Sequence, residues 1–280
     1  MVWQANSSAV IGKRAMTNPA GSFIWYELMT PDPEAAARFY HAAVGWNFGA
    51  PLPFPGGMDY RMIQRNDGGQ AGGVLRLTGD MRANGGRPIW LPYFAVTDVD
   101  ATIAGILEDG GKVQMQPIDM EAGRIAMTAD PQGVSFYIMR PNPPADRPDI
   151  DSDVFSPDQP QRVSWNELAS PDLAGAKAFY AKHFGFEFNE VMDMGSMGEY
   201  CFIDHHGQRP GALMQRHDER QAAAWVIYIR VPSIAKAKLA VEANGGAVVS
   251  EPHEVPGGDW IVVASDPQGA TFGLVGAKGE

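Results

Sequence analysis

Two glutamates, Glu27 and Glu167, occupy the same place in two copies of one motif. The copies are FIWYELMTPDPEAAARFYHAAVGWNF over residues 23–48 and VSWNELASPDLAGAKAFYAKHFGFEF over residues 163–188. A tryptophan, Trp25 or Trp165, precedes each glutamate by two positions, and alternate positions of a strand share one face. A carboxylate beside an indole ring could serve as a general acid or base on a carbonyl-bearing or aromatic substrate that stacks on the ring.

A structural role for the same glutamates is the alternative, with each carboxylate ion-paired or hydrogen-bonded to stabilise its sheet. Arg76 is expected on a strand next to Glu27 and would neutralise it, whereas Gln215 holds the corresponding place near Glu167. Glutamine carries no charge, and desolvation raises the pKa of a carboxyl group. We therefore expect the second carboxylate to be the more perturbed of the two.

The elements that must position these residues follow a pattern that occurs four times. Residues 22–29 alternate like a strand, Asp32 before Pro33 predicts the start of a helix, and Gly45 predicts its end. Three short strands are expected next, around residues 46–48, 60–64 and 73–77. A second unit begins at residue 91 with a strand, a helix over residues 99–109 and three more strands. Its Asp-Pro-Gln-Gly turn at residues 130–133 recurs at residues 266–269, so each half contains two βαβββ units.

The repeat also divides the chain into domains. Its 280 residues, 45% of them hydrophobic, are enough for two domains with their own cores. We expect a disordered extension over residues 1–20, a first domain over 21–141 and a second over 161–277. The Pro- and Asp-rich stretch 142–160 has no periodicity and predicts a solvated linker, although Val154 and Phe155 could dock on a neighbouring surface.

Charge and cysteine content limit the classes of partner. A net charge of −11 and a pI near 5.0 argue against nucleic acid or an anionic membrane, since both require a basic surface, and favour a small-molecule ligand. The single cysteine, Cys201, excludes an intrachain disulfide framework and indicates a reducing compartment, so we expect a cytoplasmic protein. Monomer and homodimer both remain open.

The order of these motifs resembles the vicinal oxygen chelate superfamily, which includes glyoxalase I, bleomycin-resistance proteins and extradiol dioxygenases. The shared features are the first strand, the Asp-capped helix with Phe-Tyr, the Gly-aromatic pair and the late D-P-x-G turn. The likeness is strongest to two-domain members whose first strand reads WxEL. The resemblance implies an α+β fold in which each half is a cup of curled sheet, with Trp25, Glu27, Trp165 and Glu167 inside. The superfamily hosts isomerases, epimerases, lyases, dioxygenases and binding proteins.

The resemblance also implies where a divalent metal would bind, because metal-dependent members hold one ion with His, Glu or Gln at four equivalent points. Those points fall on Trp25, Trp165, Arg76, Gln215, Leu91, Val226, Tyr137 and Gly273. Only Gln215 offers an oxygen suited to such an ion. We therefore expect no cofactor and no family-type metal site, the alternative being an ion held by other ligands such as Glu27 or Glu167.

The repeated aromatic residues are either core or lining of a ligand pocket. As candidate substrate-binding residues we take Trp25, Trp165, Tyr60, Tyr200, Arg76, Gln215, Tyr137, Trp90 and Trp225. A flat hydrophobic ligand among them should quench tryptophan fluorescence. The histidines, His253 among them, are interpreted as surface residues.

Three functions are compatible with these residues. The first is a metal-independent isomerase, epimerase or lyase that uses Glu167 or Glu27 as a base on a small, largely apolar or aromatic molecule. The second is a protein of the bleomycin-resistance kind that sequesters such a molecule without changing it. The third is a lyase or dioxygenase whose divalent metal has non-standard ligands.

Overall fold

A computed structural model describes residues 18–52, 55–219 and 223–280, so residues 1–17 of the expected extension lie outside it. The strands of the first half are β1 (Phe23–Thr30), β2 (Asn47–Phe48), β3 (Tyr60–Gln64), β4 (Gln70–Arg76), β5 (Ile89–Ala95), β6 (Lys112–Met120), β7 (Gly123–Ala129) and β8 (Ser135–Pro141). The helices of this half are α1 (Pro33–Val44), α2 (Gly79–Ala83) and α3 (Val99–Glu108).

The second half repeats the strands of this series and, over its described residues, two of the three helices. Its strands are β9 (Val163–Ser170), β10 (Val191–Asp193), β11 (Glu199–His205), β12 (Gln208–Gln215), β13 (Trp225–Arg230), β14 (Ala247–Glu254), β15 (Trp260–Ser265) and β16 (Thr271–Gly276). Its helices are α4 (Leu173–Phe184) and α5 (Ile234–Ala243).

Local sequence explains where α1 begins and ends. The Asp32 carboxylate accepts a hydrogen bond from the backbone N–H of Ala35 at 3.0 Å, and Pro33 supplies a first helical residue that has no N–H to satisfy. Gly45 ends the helix in the left-handed conformation, with φ of 85°. Asp172 and Gly185 do the same for α4. These caps fix the angle at which the chain leaves β1 and β9, the strands that carry the two glutamates.

Each half forms one eight-stranded sheet with β1 or β9 near its middle. The strand orders are β2-β3-β4-β1-β5-β8-β7-β6 and β10-β11-β12-β9-β13-β16-β15-β14. The two orders are identical when the repeat is superposed, and each sheet contains two βαβββ units. The predicted α+β fold with four such units in two curled sheets is confirmed.

Helices α1, α3, α4 and α5 lie between the two sheets, and the two halves share one core there. The Phe-Tyr motif of each half meets the D-P-x-G turn of the other, because Tyr40 donates to Asp266 and Tyr180 to Asp130, both at 3.2 Å. Each concave face, where the glutamates lie, therefore points away from the other half. We call the face that carries Glu27 cup 1 and the face that carries Glu167 cup 2.

Trp90 and Trp225 belong to this shared core and not to the cups, which corrects their assignment as substrate-binding residues. They are 1% and 2% exposed. Their indole N–H groups donate to the hydroxyls of Tyr40 at 2.8 Å and Tyr180 at 3.2 Å. Their side chains face away from the cups because Trp90 pairs with Leu28, which lies on the opposite face of β1 from Glu27.

The stretch 142–160 is docked over its second part, which differs from the expected solvated linker. Val154 is buried at 2% exposure, and Phe155 forms a β-bridge with Val163. The Ser152 hydroxyl donates to the Ile24 carbonyl at 2.6 Å. A periodicity test misses such a segment because it docks through isolated contacts. Within the described part of the chain, no helix has the length and apolarity to cross a membrane.

Candidate functional site

Cup 2 contains an open cavity of about 490 Å³, within the range of small-molecule sites. Its apolar lining includes Met192, Met194, Phe202, Met214, Ile261 and Val263. Its polar lining includes Ser164, Arg209, Arg230, Ser250, His253 and Asp259. The predicted site residues Trp165, Glu167 and Tyr200 also face it. A largely apolar chamber with a few polar groups suits a small organic molecule.

Glu167 lies on the floor of this cavity and is held by two tyrosines. The Tyr200 hydroxyl donates to Oε2 at 2.8 Å, and the Tyr228 hydroxyl donates to Oε1 at 3.1 Å. The indole N–H of Trp165 donates to the Tyr200 hydroxyl at 2.8 Å. This chain of hydrogen bonds fixes the carboxylate, and the Trp165 ring stays partly exposed beside it.

Burial raises the pKa of the Glu167 carboxyl above its ordinary value, because the ionised form loses solvation. The hydrogen bonds from Tyr200 and Tyr228 and the nearby charge of His253 oppose this shift, since each favours the anion. The carboxylate nevertheless remains partly exposed to the cavity. A carboxyl group with a raised pKa is a better proton acceptor from a bound molecule than an ordinary carboxylate.

Two arginines border the cavity, and both have acidic partners. Arg230 forms an ion pair with Asp259 at 2.6 Å. Arg209 pairs with Asp204 at 2.9 Å, and its guanidinium lies 4.7 Å from the centre of the Phe202 ring. The positive charge is therefore balanced on the protein, which keeps the cavity suited to a neutral or weakly polar molecule.

We call the glutamate, the tryptophan and the two tyrosines around it the floor of a cup: Trp165, Glu167, Tyr200 and Tyr228 in cup 2. Cup 1 has the same residue types in its floor but is closed. Glu27 is 1% exposed and accepts a hydrogen bond from the Tyr93 hydroxyl at 2.7 Å, as Glu167 does from Tyr228. Trp25 donates to the Tyr60 hydroxyl at 3.0 Å. Burial raises the pKa of Glu27 to about 7, against the stabilising effect of the Tyr93 and Tyr137 phenols. This carboxyl has the perturbed pKa of a catalytic acid or base without access for a substrate.

One position on the closing strand separates the two cups. Tyr137 on β8 stacks on Tyr93 with the ring centres 4.2 Å apart and the planes at 18°. Gly273 holds the equivalent position on β16, since it pairs with Tyr228 as Tyr137 pairs with Tyr93. The Tyr137 ring fills the centre of cup 1, and no ring fills that of cup 2.

The walls of the cups differ in the same sense, because apolar residues of cup 1 are replaced by small or polar residues in cup 2. The replacements given by strand register and the repeat are Ile24 by Ser164, Ala95 by Arg230, Met115 by Ser250 and Ile118 by His253. Cup 1 is thereby packed as a second hydrophobic core, and cup 2 acquires hydrogen-bonding groups.

Two predicted residues lie outside the cups, which corrects their assignment. The expected ion pair between Arg76 and Glu27 does not form, since the Arg76 side chain is 56% exposed and lies 3.9 Å from Asp59. Gln215 donates to the Pro171 carbonyl at 2.9 Å and accepts from the backbone N–H of Leu173, at the start of α4. Both side chains project to the face opposite the glutamates. The sequence correctly predicted that Arg76 and Gln215 lie on strands next to those of the glutamates, but it did not predict that their side chains point to the other face.

Among the residues of the cups that sequence reasoning missed are two tyrosines of the floors and a histidine of the cavity wall. Tyr93 and Tyr228 stand at matching positions of the repeat, so their repetition was a signal that could have identified them. His253 was interpreted as a surface residue and lines the cavity from β14. Nothing in its local sequence distinguishes it, because its position depends on irregular register between β14 and β15.

Comparison with known families and structures agrees with this architecture. The profile of the Glyoxalase/Bleomycin resistance protein/Dioxygenase superfamily matches residues 22–138 and 162–274. The chain belongs to this superfamily. Its curled sheets are the two matched regions, and the resemblance noted from the WxEL strands is confirmed.

Similar proteins within the superfamily carry different names. "Putative glyoxylase CFP32" of Mycobacterium tuberculosis is 30% identical over 255 residues, covering 90% of this chain and 93% of the relative. "Anthracycline biosynthesis protein DnrV" of Streptomyces peucetius is 31% identical over 269 residues, covering 91% and 93%. The Mn(II)-bound glyoxalase of Novosphingobium aromaticivorans aligns with a TM-score of 0.60 at 16% identity, covering 94% of this chain and 83% of the other. This last similarity shows the fold alone.

The side chains of the two cups do not fit a divalent metal of the superfamily type. The groups nearest each glutamate are indole and phenol rings. Over the described ranges, no three His, Cys, Asp or Glu side chains come together as a metal would require. Gln215, the one suitable donor among the equivalent points, is bonded at the start of α4. A superfamily-type ion would need at least three such ligands.

Proposed function

We propose that cup 2 binds a small, largely apolar or aromatic molecule and that Glu167 acts as a general base on it, in a metal-independent isomerisation, epimerisation or elimination. One observation carries the proposal: a carboxylate with a raised pKa faces an open cavity beside Trp165. Glu27, the other candidate base, is enclosed in cup 1 and has no such access. We therefore assign the chemistry to Glu167 alone.

The geometry suggests a proton-transfer step at a carbon next to a carbonyl group. Glu167 would accept the proton from that carbon, and the resulting enolate would be stabilised by donors on the floor. Tyr200 and Tyr228 donate to the Glu167 carboxylate, and once Glu167 has taken up the proton their hydroxyls become available to the enolate oxygen. Return of the proton to a neighbouring atom or to the opposite face would give isomerisation or epimerisation.

A sequestering function is the second candidate, and a specific observation favours it. Both oxygens of Glu167 already accept a hydrogen bond, as in a carboxylate that is fixed for binding. Cup 2 would then hold its ligand unchanged. The name of DnrV refers to anthracycline biosynthesis and supports a flat aromatic ligand, while leaving both functions possible.

Deuterium exchange separates the two functions. The probe is 1-tetralone, a flat aromatic ketone with protons next to its carbonyl, incubated with the protein in D₂O and followed by NMR. A general base contributes about 10²–10⁴-fold, so we expect Glu167→Gln to reduce catalysed exchange by at least 100-fold. Glu27→Gln is the matched control and should retain the exchange rate, because cup 1 is closed.

Binding is measured in the same samples by tryptophan fluorescence. Exchange that survives in Glu167→Gln at the wild-type rate would rule out the general base. Quenching by 1-tetralone without exchange in the wild-type protein would favour sequestration.

A further inference from the structure

Cup 1 contains a ring of its own in the place where cup 2 has open space. We infer that the ligand of cup 2 carries a phenolic ring, which lies against Tyr228 with its hydroxyl directed to Glu167. The inference rests on the proposed function only in taking cup 2 as the ligand site. It defines the chemical class and the orientation of the ligand.

The side chain of Tyr137 shows how the floor of a cup receives a phenol. Its ring is 2% exposed and parallel to that of Tyr93 at 4.2 Å. Its hydroxyl lies near the Glu27 carboxylate, and burial together with the charge of that carboxylate raises the pKa of the Tyr137 phenol. The Tyr93 and Tyr137 hydroxyls both act as hydrogen-bond donors to the Glu27 carboxylate and favour its ionised form.

Cup 2 has equivalents of the four floor residues, but its Tyr228 ring lies against the backbone at Gly273, where cup 1 has the Tyr137 side chain. Trp25, Glu27, Tyr60 and Tyr93 correspond to Trp165, Glu167, Tyr200 and Tyr228. The hydrogen bonds correspond as well, since Trp donates to Tyr at 3.0 and 2.8 Å and Tyr93 and Tyr228 donate to their glutamates at 2.7 and 3.1 Å. A floor complementary to a tethered phenol in one cup is complementary to a free one in the other.

At the position of Tyr137, the closing strand of cup 2 has a glycine and adds no side chain. A Cβ at Gly273 would lie 2.2 Å from the Tyr228 ring, so Tyr228 rests directly on the strand backbone. The cavity in front of it measures about 490 Å³, enough for a phenol with further substituents.

The charges of the floor favour a neutral hydroxyl. A carboxylate can accept about four hydrogen bonds, and Glu167 accepts two. A phenol O–H can occupy one of the remaining sites as a donor. A carboxylate or phosphate on the ligand would be repelled at this point, since Glu167 carries the same sign of charge when ionised.

The test uses 4-methylphenol, which is the tyrosine side chain as a free molecule, and toluene, which has the same shape without the hydroxyl. Calorimetric titration of the wild-type protein should give one site for 4-methylphenol and at least tenfold weaker binding of toluene. Gly273→Tyr adds a side chain that displaces the Tyr228 ring and enters the space in front of it, and should reduce the affinity for 4-methylphenol at least tenfold. Equal affinities for the two probes, or full binding by a folded Gly273→Tyr protein, would overturn the inference.

A second variant tests the same idea in cup 1 and is independent of any activity. Tyr137→Gly should lower the melting temperature, and 4-methylphenol should raise it again and increase the number of sites from one to two. Toluene should raise the melting temperature of Tyr137→Gly less than 4-methylphenol does. A melting temperature of Tyr137→Gly that 4-methylphenol moves no more than it moves the wild type would count against a phenol-shaped floor.

These outcomes are separable from those of the proposed function. If 1-tetralone binds and exchanges but 4-methylphenol does not bind, the phenolic class is wrong and the base remains. If 4-methylphenol binds as expected but Glu167→Gln exchanges at the wild-type rate, the base is wrong and the ligand class remains.

Discussion

Cup 1 and cup 2 are formed by equivalent strands of the two sheets and contain the same four floor residue types. Cup 1 is nevertheless filled by side chains, whereas cup 2 contains a cavity. The difference lies in the walls: Tyr137 and Ile118 fill cup 1, whereas Gly273 and His253 take their places in cup 2. Two copies of one repeat can therefore differ in whether they contain a cavity while keeping the same residues around the glutamate. A perturbed carboxyl such as Glu27 is by itself no sign of an active site, because access decides whether it can react.

The largest expected effect concerns packing. Tyr93→Ala should lower the free energy of unfolding by about 3–5 kcal/mol, as for other large aromatic residues removed from a core. The matched Tyr228→Ala should cost less, because Tyr228 already borders a cavity that water can enter. Urea unfolding measures both, and equal losses would show that cup 2 is packed as tightly as cup 1.

The next effect concerns the charge of Glu27. Its pKa is about 7 in the folded protein and near 4.5 when unfolded, so the folded state binds this proton more tightly. The resulting stabilisation is complete below pH 4.5 and is lost as the pH rises to 7. At about 1.4 kcal/mol per pKa unit, the difference between pKa values of 4.5 and about 7 corresponds to about 3.5 kcal/mol. Unfolding of Glu27→Gln between these pH values should lack this decline, and an unchanged decline would place its origin in another group.

The smallest effect tests the polar wall of cup 2. The charge of His253 lowers the pKa of Glu167, against the larger effect of burial. His253→Ile restores the residue type of cup 1 at this position and should move the pH dependence of 1-tetralone exchange to higher pH. Ile118→His, the reverse change in cup 1, should leave the profile where it is. A profile that His253→Ile does not move would mean that His253 is too far from Glu167 to matter.

The fold was predictable from the repeat, because caps such as Asp32 and Gly45 and the D-P-x-G turns act through local contacts that sequence encodes directly. The floor of each cup was predictable in part, since strand alternation places Trp165 and Glu167 on one face. Arg76 and Gln215 were misplaced because residues one position apart on a strand face opposite sides. The open cavity of cup 2 could not be predicted from the sequence. It depends on Gly273 of β16, and the sequence alone does not show that this glycine lies next to Tyr228.

The central claim is that ligand enters cup 2 and not cup 1, and two tryptophan variants test it most directly. Trp165 lines the cavity, whereas Trp25 takes the same position in the closed cup. Titration with 1-tetralone should quench the fluorescence of the wild type and of Trp25→Phe to the same extent, and the quenching should be largely lost in Trp165→Phe. Quenching that persists in Trp165→Phe and disappears in Trp25→Phe would contradict the account.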